Sequence, residues 1–197
     1  MRQVRIILWV AVALAAVLAG ILYLNQSRPT STMRPVSGAS FGGPFTLVGA
    51  DGQPFASSRL AGKPYAVFFG FTHCPDVCPT TLARLVRLRQ QLGAGERPFE
   101  IVFVSVDPER DKPADVGKYA ELFNAPVIGL TGSPAQIGQV KKQFGIFSQK
   151  VPVPGGDYTV NHTSTVLLFD RRGEFAGTIA TDEQDPPALA KLKRISA

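Results

Sequence analysis

The chain is sparing with the side chains that most often carry chemistry. Its 197 residues include 2 cysteines and 2 histidines. Cys74 and Cys78 are separated by three residues, so a disulfide between them closes too short a loop to hold a fold together. A disulfide framework is therefore excluded, and at 45% hydrophobic the chain can build its core without one. The cysteine pair is read as chemical rather than structural. Lys and Arg are not clustered among aromatics, which removes nucleic acid as a partner. The net charge of +6 includes Arg2 and Arg5 at the extreme N-terminus. The mildly basic remainder suits weak attraction to anionic headgroups or an acidic partner. Internal repeats are absent, and no amphipathic surface suggests an obligate dimer, so a monomer is expected.

Charge is missing altogether from Ile6 to Leu24, IILWVAVALAAVLAGILYL. As a helix this run is about 28 Å long, close to the hydrocarbon thickness of a bilayer. Arg2 and Arg5 precede it, which keeps the N-terminus cytoplasmic and sends the rest across. Residues 1–24 are expected to be a single-pass anchor in the inner (cytoplasmic) membrane. The alternative is a cleaved signal peptide ending at Val17-Leu18-Ala19. Both readings place the remainder on the periplasmic, extracytoplasmic side. No cysteine follows the run before Cys74, which argues against a lipoprotein anchor. Residues 25–40, rich in Ser, Thr and Pro, are expected to be a flexible linker.

Residues 41–197 read as one α/β domain. Strands are expected over Phe45–Val48 and, after an Asp-Gly turn, at Pro54-Phe55. Tyr65–Phe71 (YAVFFGF) and Glu100–Val106 (EIVFVSV) are continuous apolar runs, the pattern of buried central strands. Leu82, Leu85, Val86, Leu88 and Leu92 mark an amphipathic helix over Thr80–Leu92, ended by Gly93. Further helices are expected over Pro113–Phe123, over Ser133–Phe144 with Ser133 capping, and over Asp185–Lys193 with Asp185 capping. Strands fill Val127–Leu130, Asp157–Val160, Thr165–Phe169 and Glu174–Ile179. Gln149–Tyr158 reads as an exposed loop, either plain surface or a docking surface. A cysteine motif that ends a strand and opens a helix predicts a thioredoxin-like fold with a mixed central sheet, preceded by one N-terminal transmembrane helix.

A helix N-terminus presents free N–H groups and positive partial charge, which favour thiolate. Disulfide exchange and soft-metal binding both need a thiolate, so this alone does not separate them. Exchangers usually space their cysteines by two residues; three also let two sulfurs straddle a metal, and two sulfurs suit Cu(I). His162 is expected at the entry to the Thr165–Phe169 strand, the place where exchangers keep a cis-proline. No proline lies between Val160 and Phe169. Cys74, Cys78 and His162 are therefore the candidate ligands of a copper ion. His73 adjoins Cys74 but can point away. Asp76 and Asp107 are candidates to support the ligands, against the plainer roles of helix-start carboxylate and strand-end cap.

With these residues in view the chain resembles the Sco/SenC family of copper-binding cytochrome c oxidase assembly proteins, over roughly Phe41 to Ile195. The resemblance rests on Gly70-Phe71-Thr72-His73-Cys74-Pro75-Asp76-Val77-Cys78-Pro79. Ser105-Val106-Asp107-Pro108-Glu109-Arg110-Asp111, Asp157-Tyr158 through His162-Thr163, and Gly43-Pro44-Phe45 add to it. It implies copper, as Cu(I) or Cu(II), on Cys74, Cys78 and His162. It also implies a partner, cytochrome c oxidase subunit II or another copper-accepting protein, whose binuclear copper centre the protein helps assemble by delivering copper or by keeping cysteines reduced. The family usually has Asp before the histidine; here Asn161 stands there, without the charge. A thiol–disulfide oxidoreductase, needing only the cysteines, stays open as the alternative. A peroxide-scavenging enzyme is disfavoured because no arginine can be assigned to its site.

Overall fold

The strongest apolar run in the domain, Tyr65 to Gly70, forms β3, and all six of its residues are buried. In this computed structural model the described residues are 41–93 and 97–197, with Arg2, Gln3 and Trp9. Apart from those three, the expected anchor (1–24) and linker (25–40) lie outside the described residues. Among the described residues no helix is long and apolar enough to cross a membrane.

The chain enters through β1 (Thr46–Gly49) and β2 (Pro54–Ala56), a hairpin turning at Asp51-Gly52, followed by a short 3-10 turn over Ser57–Leu60. After β3 come α1 (Val77–Leu92), β4 (Glu100–Ser105), α2 (Pro113–Glu121), β5 (Ile128–Thr131) and α3 (Pro134–Gln143). Then follow β6 (Ser148–Pro152), β7 (Tyr158–His162), β8 (Val166–Phe169), β9 (Phe175–Ile179) and α4 (Asp185–Ser196). Seven strands form one sheet in the order β2-β1-β5-β4-β3-β8-β9, while β6 and β7 pair only with each other. β3, β4 and β5 run parallel; β1 and β8 flank them antiparallel. This mixed sheet with helical crossovers is the thioredoxin-like arrangement that the alternation of apolar strands and amphipathic helices predicts.

Phe68, Phe69, Phe103 and Phe169 fill the core from the sheet. α1 adds Leu82, Leu85 and Leu88 at helical spacing, and α4 adds Ala188, Leu192 and Ile195. Gly129 lets α2 lie against β5: a Cβ there would come within 2.6 Å of the Val116 carbonyl oxygen. Ser133 caps α3 as expected, with Gln136 closing the reciprocal bond to its N–H (2.9 Å).

Three expectations need correction. Asp185 is the first residue of α4, and Gln184 takes the cap position without a side-chain bond. The Asp185 carboxylate instead accepts from Arg84 (2.8 Å) and Arg87 (2.9 Å), fastening α4 to α1; two cations outcompete a backbone cap. α1 starts at Val77, ahead of Thr80, because Pro79 falls in its first turn, where no helical N–H is needed. Gln149–Tyr158 is no plain loop: Ser148–Pro152 pairs with Tyr158–His162 in an antiparallel hairpin. Pro154 with Gly155 and Gly156, both at positive φ, makes the turn, and Val153 N–H to Asp157 O closes it (2.9 Å).

Candidate metal centre

β3 ends at Gly70 and α1 begins at Val77, so the six-residue turn between them delivers two sulfurs to the helix N-terminus. Cys74 is half-buried, and its N–H donates to Phe71 O (3.3 Å). Cys78 sits in the first turn of α1 and is fully buried. Its backbone N–H points at Cys74 Sγ (3.4 Å), an unsatisfied helix-terminal donor aimed at sulfur.

Gly70 makes room for Cys78. A Cβ there would stand 2.8 Å from Cys78 Sγ, 3.0 Å from Phe68 and 3.1 Å from Phe103. Gly70→Ala is therefore expected to push the Cys78 sulfur out of place. Metal affinity, measured by competition with a chelator, should fall about tenfold.

His162 closes the site from the other side. It is the last residue of β7, with three residues between it and β8, rather than the opening of the next strand. Its ring meets Phe68 and Phe71 nearly edge-on, centroids 6.0 and 5.7 Å apart. Nδ1 lies 2.9 Å from Thr163 O; a carbonyl only accepts, so Nδ1 carries the hydrogen. Nε2 is left with its lone pair and lies 3.5 Å from Cys78 Sγ. The ligand atoms of Cys74, Cys78 and His162 all fall within 4.8 Å of one another. No peptide bond among the described residues is cis. Two sulfurs and an imidazole nitrogen form a donor set suited to a soft or borderline ion.

The two thiols are inequivalent. Hydrogen bonding from Cys78 lowers the Cys74 pKa well below the ordinary cysteine value, with the backbone N–H groups of Cys78 and Asp76 assisting. The shared hydrogen bond with Cys74 and burial push Cys78 up. One proton is thus shared by the pair, and metal binding must displace it.

The other candidates separate. His73 is exposed, its Nδ1 3.5 Å from Asp111 Oδ1 and 3.1 Å from Thr72 Oγ1, facing away from the sulfurs. The Asp76 carboxylate accepts from Thr80 Oγ1 (3.4 Å), and only its backbone serves Cys74. Asp107 is buried and holds Arg110 (2.6 Å) and Tyr158 (2.9 Å), not a sulfur or His162. Asn161 is exposed on β7, opposite Gln149.

Asp111, at the end of the Ser105–Asp111 segment, organises the approach. Its fully buried carboxylate accepts from Thr72 N–H (2.9 Å), Thr72 Oγ1 (2.6 Å) and Ser105 Oγ (2.5 Å). It thereby ties the Cys74 turn to the end of β4. Buried charge-assisted bonds of this kind fix geometry. The sequence signal was the Ser105–Asp111 spacing, but Thr72, its main partner, lies 39 residues away.

Comparison with known proteins gives a consistent picture. The SCO1/SenC family model matches residues 34–197. Protein SCO1 homolog 1, mitochondrial, of Arabidopsis thaliana is 38% identical over 157 residues, covering 77% of this chain and 46% of that protein, so the chain spans about half the relative's length. The copper-bound structure of Bradyrhizobium japonicum ScoI is similar with a TM-score of 0.72 and 40% identity, covering 79% of this chain and 99% of that one. BsSco, described as a member of the Sco family of cytochrome c oxidase assembly proteins with a disulfide switch, is 28% identical with a TM-score of 0.61, covering 80% and 94%.

Proposed function

We propose that this chain, which belongs to the SCO1/SenC family, carries one copper ion on Cys74, Cys78 and His162 and passes it to a copper-accepting protein. The recipient is the binuclear copper centre of cytochrome c oxidase subunit II. Residues 1–24 anchor the protein in the cytoplasmic membrane and residues 25–40 let the domain, 41–197, stand off on the extracytoplasmic side. The observation that carries this reading is the convergence of two sulfurs and a free Nε2 within 4.8 Å. Copper is the cargo: Cys74 and Cys78 supply soft thiolates that retain Cu(I), and His162 adds the nitrogen that makes Cu(II) tolerable. The copper bound in the structure of the Bradyrhizobium relative supports copper as the ion here.

One observation favours a second reading. A lowered Cys74 beside a buried Cys78 is also the arrangement of an attacking and a resolving thiol. A thiol–disulfide oxidoreductase needs no imidazole, however, whereas His162 is held with Nε2 3.5 Å from Cys78 Sγ. Copper titration of the reduced protein separates the two. Wild type should take up one equivalent of Cu(II) tightly, and His162→Ala should bind Cu(II) about a hundredfold more weakly while keeping both thiols. Equal binding by His162→Ala, together with normal disulfide reduction, would favour the oxidoreductase.

A further inference from the structure

The metal centre is assembled from two separate pieces. Both cysteines belong to the β3–α1 junction, whereas His162 belongs to the β6–β7 hairpin, which shares no ladder with the main sheet. The place of the imidazole therefore depends on what fastens the hairpin to the body of the domain. Some fastening comes from buried Val160, whereas the backbone bond from Thr163 N–H to Phe147 O (3.0 Å) only extends the hairpin's own ladder. Lys150 pairs with Glu109 (2.5 Å), but both side chains are largely exposed, and such pairs contribute little.

Most of the other polar contacts converge on Arg110. Its Nε donates to Asp107 Oδ2 (2.6 Å) on the body side. Its Nη1 donates to Tyr158 O (2.9 Å) and Asp157 Oδ1 (3.2 Å) on the hairpin side. The guanidinium also lies over the Tyr158 ring, 3.7 Å from its centroid, with the Phe71 ring 5.9 Å away. Tyr158 Oη donates to the other oxygen of the same Asp107 (2.9 Å). Phe71, next to Thr72 in the cysteine turn, is the ring that meets His162 edge-on. Arg110 is 18% exposed and Asp107 not at all, so the bond between them is shielded from water, whereas Asp157 is 69% exposed and its pair contributes little.

We propose that Arg110 is the positioning residue of the metal centre. It clamps Tyr158, at the start of β7, to Asp107 and so holds His162, at the end of the same strand, over the cysteine pair. The task suits arginine. A planar guanidinium donates in its plane to a carboxylate and a carbonyl while its face stacks on an aromatic ring, and the compact ammonium of lysine cannot do both. The role also predicts selectivity. Two thiolates alone satisfy Cu(I), which accepts low coordination numbers, whereas Cu(II) relies on the imidazole. Loosening the clamp should spare Cu(I) and weaken Cu(II).

The inference rests on the copper reading, and the test keeps the two apart. The detergent-solubilised full chain, reduced, is loaded with one equivalent of Cu(I) or Cu(II), as wild type, Arg110→Ala, Arg110→Lys and His162→Ala. Wild type should show imidazole nitrogen coupling in the paramagnetic resonance of Cu(II), and His162→Ala should lack it. Wild type that binds no copper would overturn the copper reading and the inference with it. Arg110→Ala should lose or broaden the nitrogen coupling and bind Cu(II) about tenfold more weakly, while still taking up one Cu(I). Arg110→Lys should recover only part of that loss. Wild-type coupling and affinity in Arg110→Ala would overturn the inference, as would equal loss of Cu(I) and Cu(II), which marks general collapse of the site. If Arg110→Ala does not fold, Tyr158→Leu removes the stacking face and the hydroxyl bond to Asp107 instead. The same Cu(II)-selective loss supports the clamp, and wild-type behaviour overturns it.

Discussion

Serine in place of Cys78 is expected to abolish tight copper binding while leaving the fold standing. The substitution changes one atom in a site where Cys78 is fully buried against Gly70, so packing is nearly conserved. The chemistry is not conserved. A neutral hydroxyl is a poor ligand for Cu(I), and a soft thiolate is removed from a set of three donors. Structural sites of four ligands bind at roughly 10–16 kcal/mol, so losing one ligand corresponds to roughly a hundredfold to a thousandfold in affinity. Competition with a chelator under reducing conditions measures this directly, and a thermal melt of the apo-protein serves as the control for folding. Wild-type affinity in Cys78→Ser would remove Cys78 from the ligand set.

Oxidation is expected to have the larger effect. A disulfide between Cys74 and Cys78 consumes both thiolates in one two-electron step and leaves His162 as the lone donor of the three. The oxidised protein should retain no copper after gel filtration, and a thiol reductant should restore one equivalent. This makes the protein's copper capacity a function of the redox poise around it. It also unites the two readings of the site, because a chaperone of this design works only while its own cysteines stay reduced. Retention of an equivalent of copper by the oxidised protein would contradict thiolate ligation.

How much of this was legible in the sequence differs from residue to residue. The cysteine pair could be placed from local pattern alone. An apolar run with aromatic residues, a turn rich in proline and an amphipathic helix fix Cys74 and Cys78 at a strand–helix junction, because each signal is contained within its own segment. His162 was legible as a candidate through a missing proline and through resemblance, but its strand was misjudged. β6 escaped notice because Pro152 and Pro154, with Gly155 and Gly156, interrupt an exposed segment whose inward face buries few residues. A hairpin of that kind gains its order from contacts made elsewhere in the chain. Those contacts were the least legible feature. Arg110 reaches Asp157 and Tyr158 across 47 and 48 residues, and Asp111 reaches Thr72 across 39. No local periodicity encodes such pairings. Asp185 shows the same limit in reverse: its local role as a cap was the natural reading, and two arginines of α1 claim it instead. Gly70 read as part of an apolar strand and of a family motif, and only the packing shows that it leaves space for a sulfur.

X-ray absorption at the copper edge of the reduced, Cu(I)-loaded full chain tests the central claim most directly, since it counts the atoms around the metal. Two sulfur scatterers and one imidazole nitrogen, with the nitrogen shell lost in His162→Ala, are expected if Cys74, Cys78 and His162 hold the ion. A wild-type shell without sulfur, or one that keeps its imidazole nitrogen in His162→Ala, would contradict it.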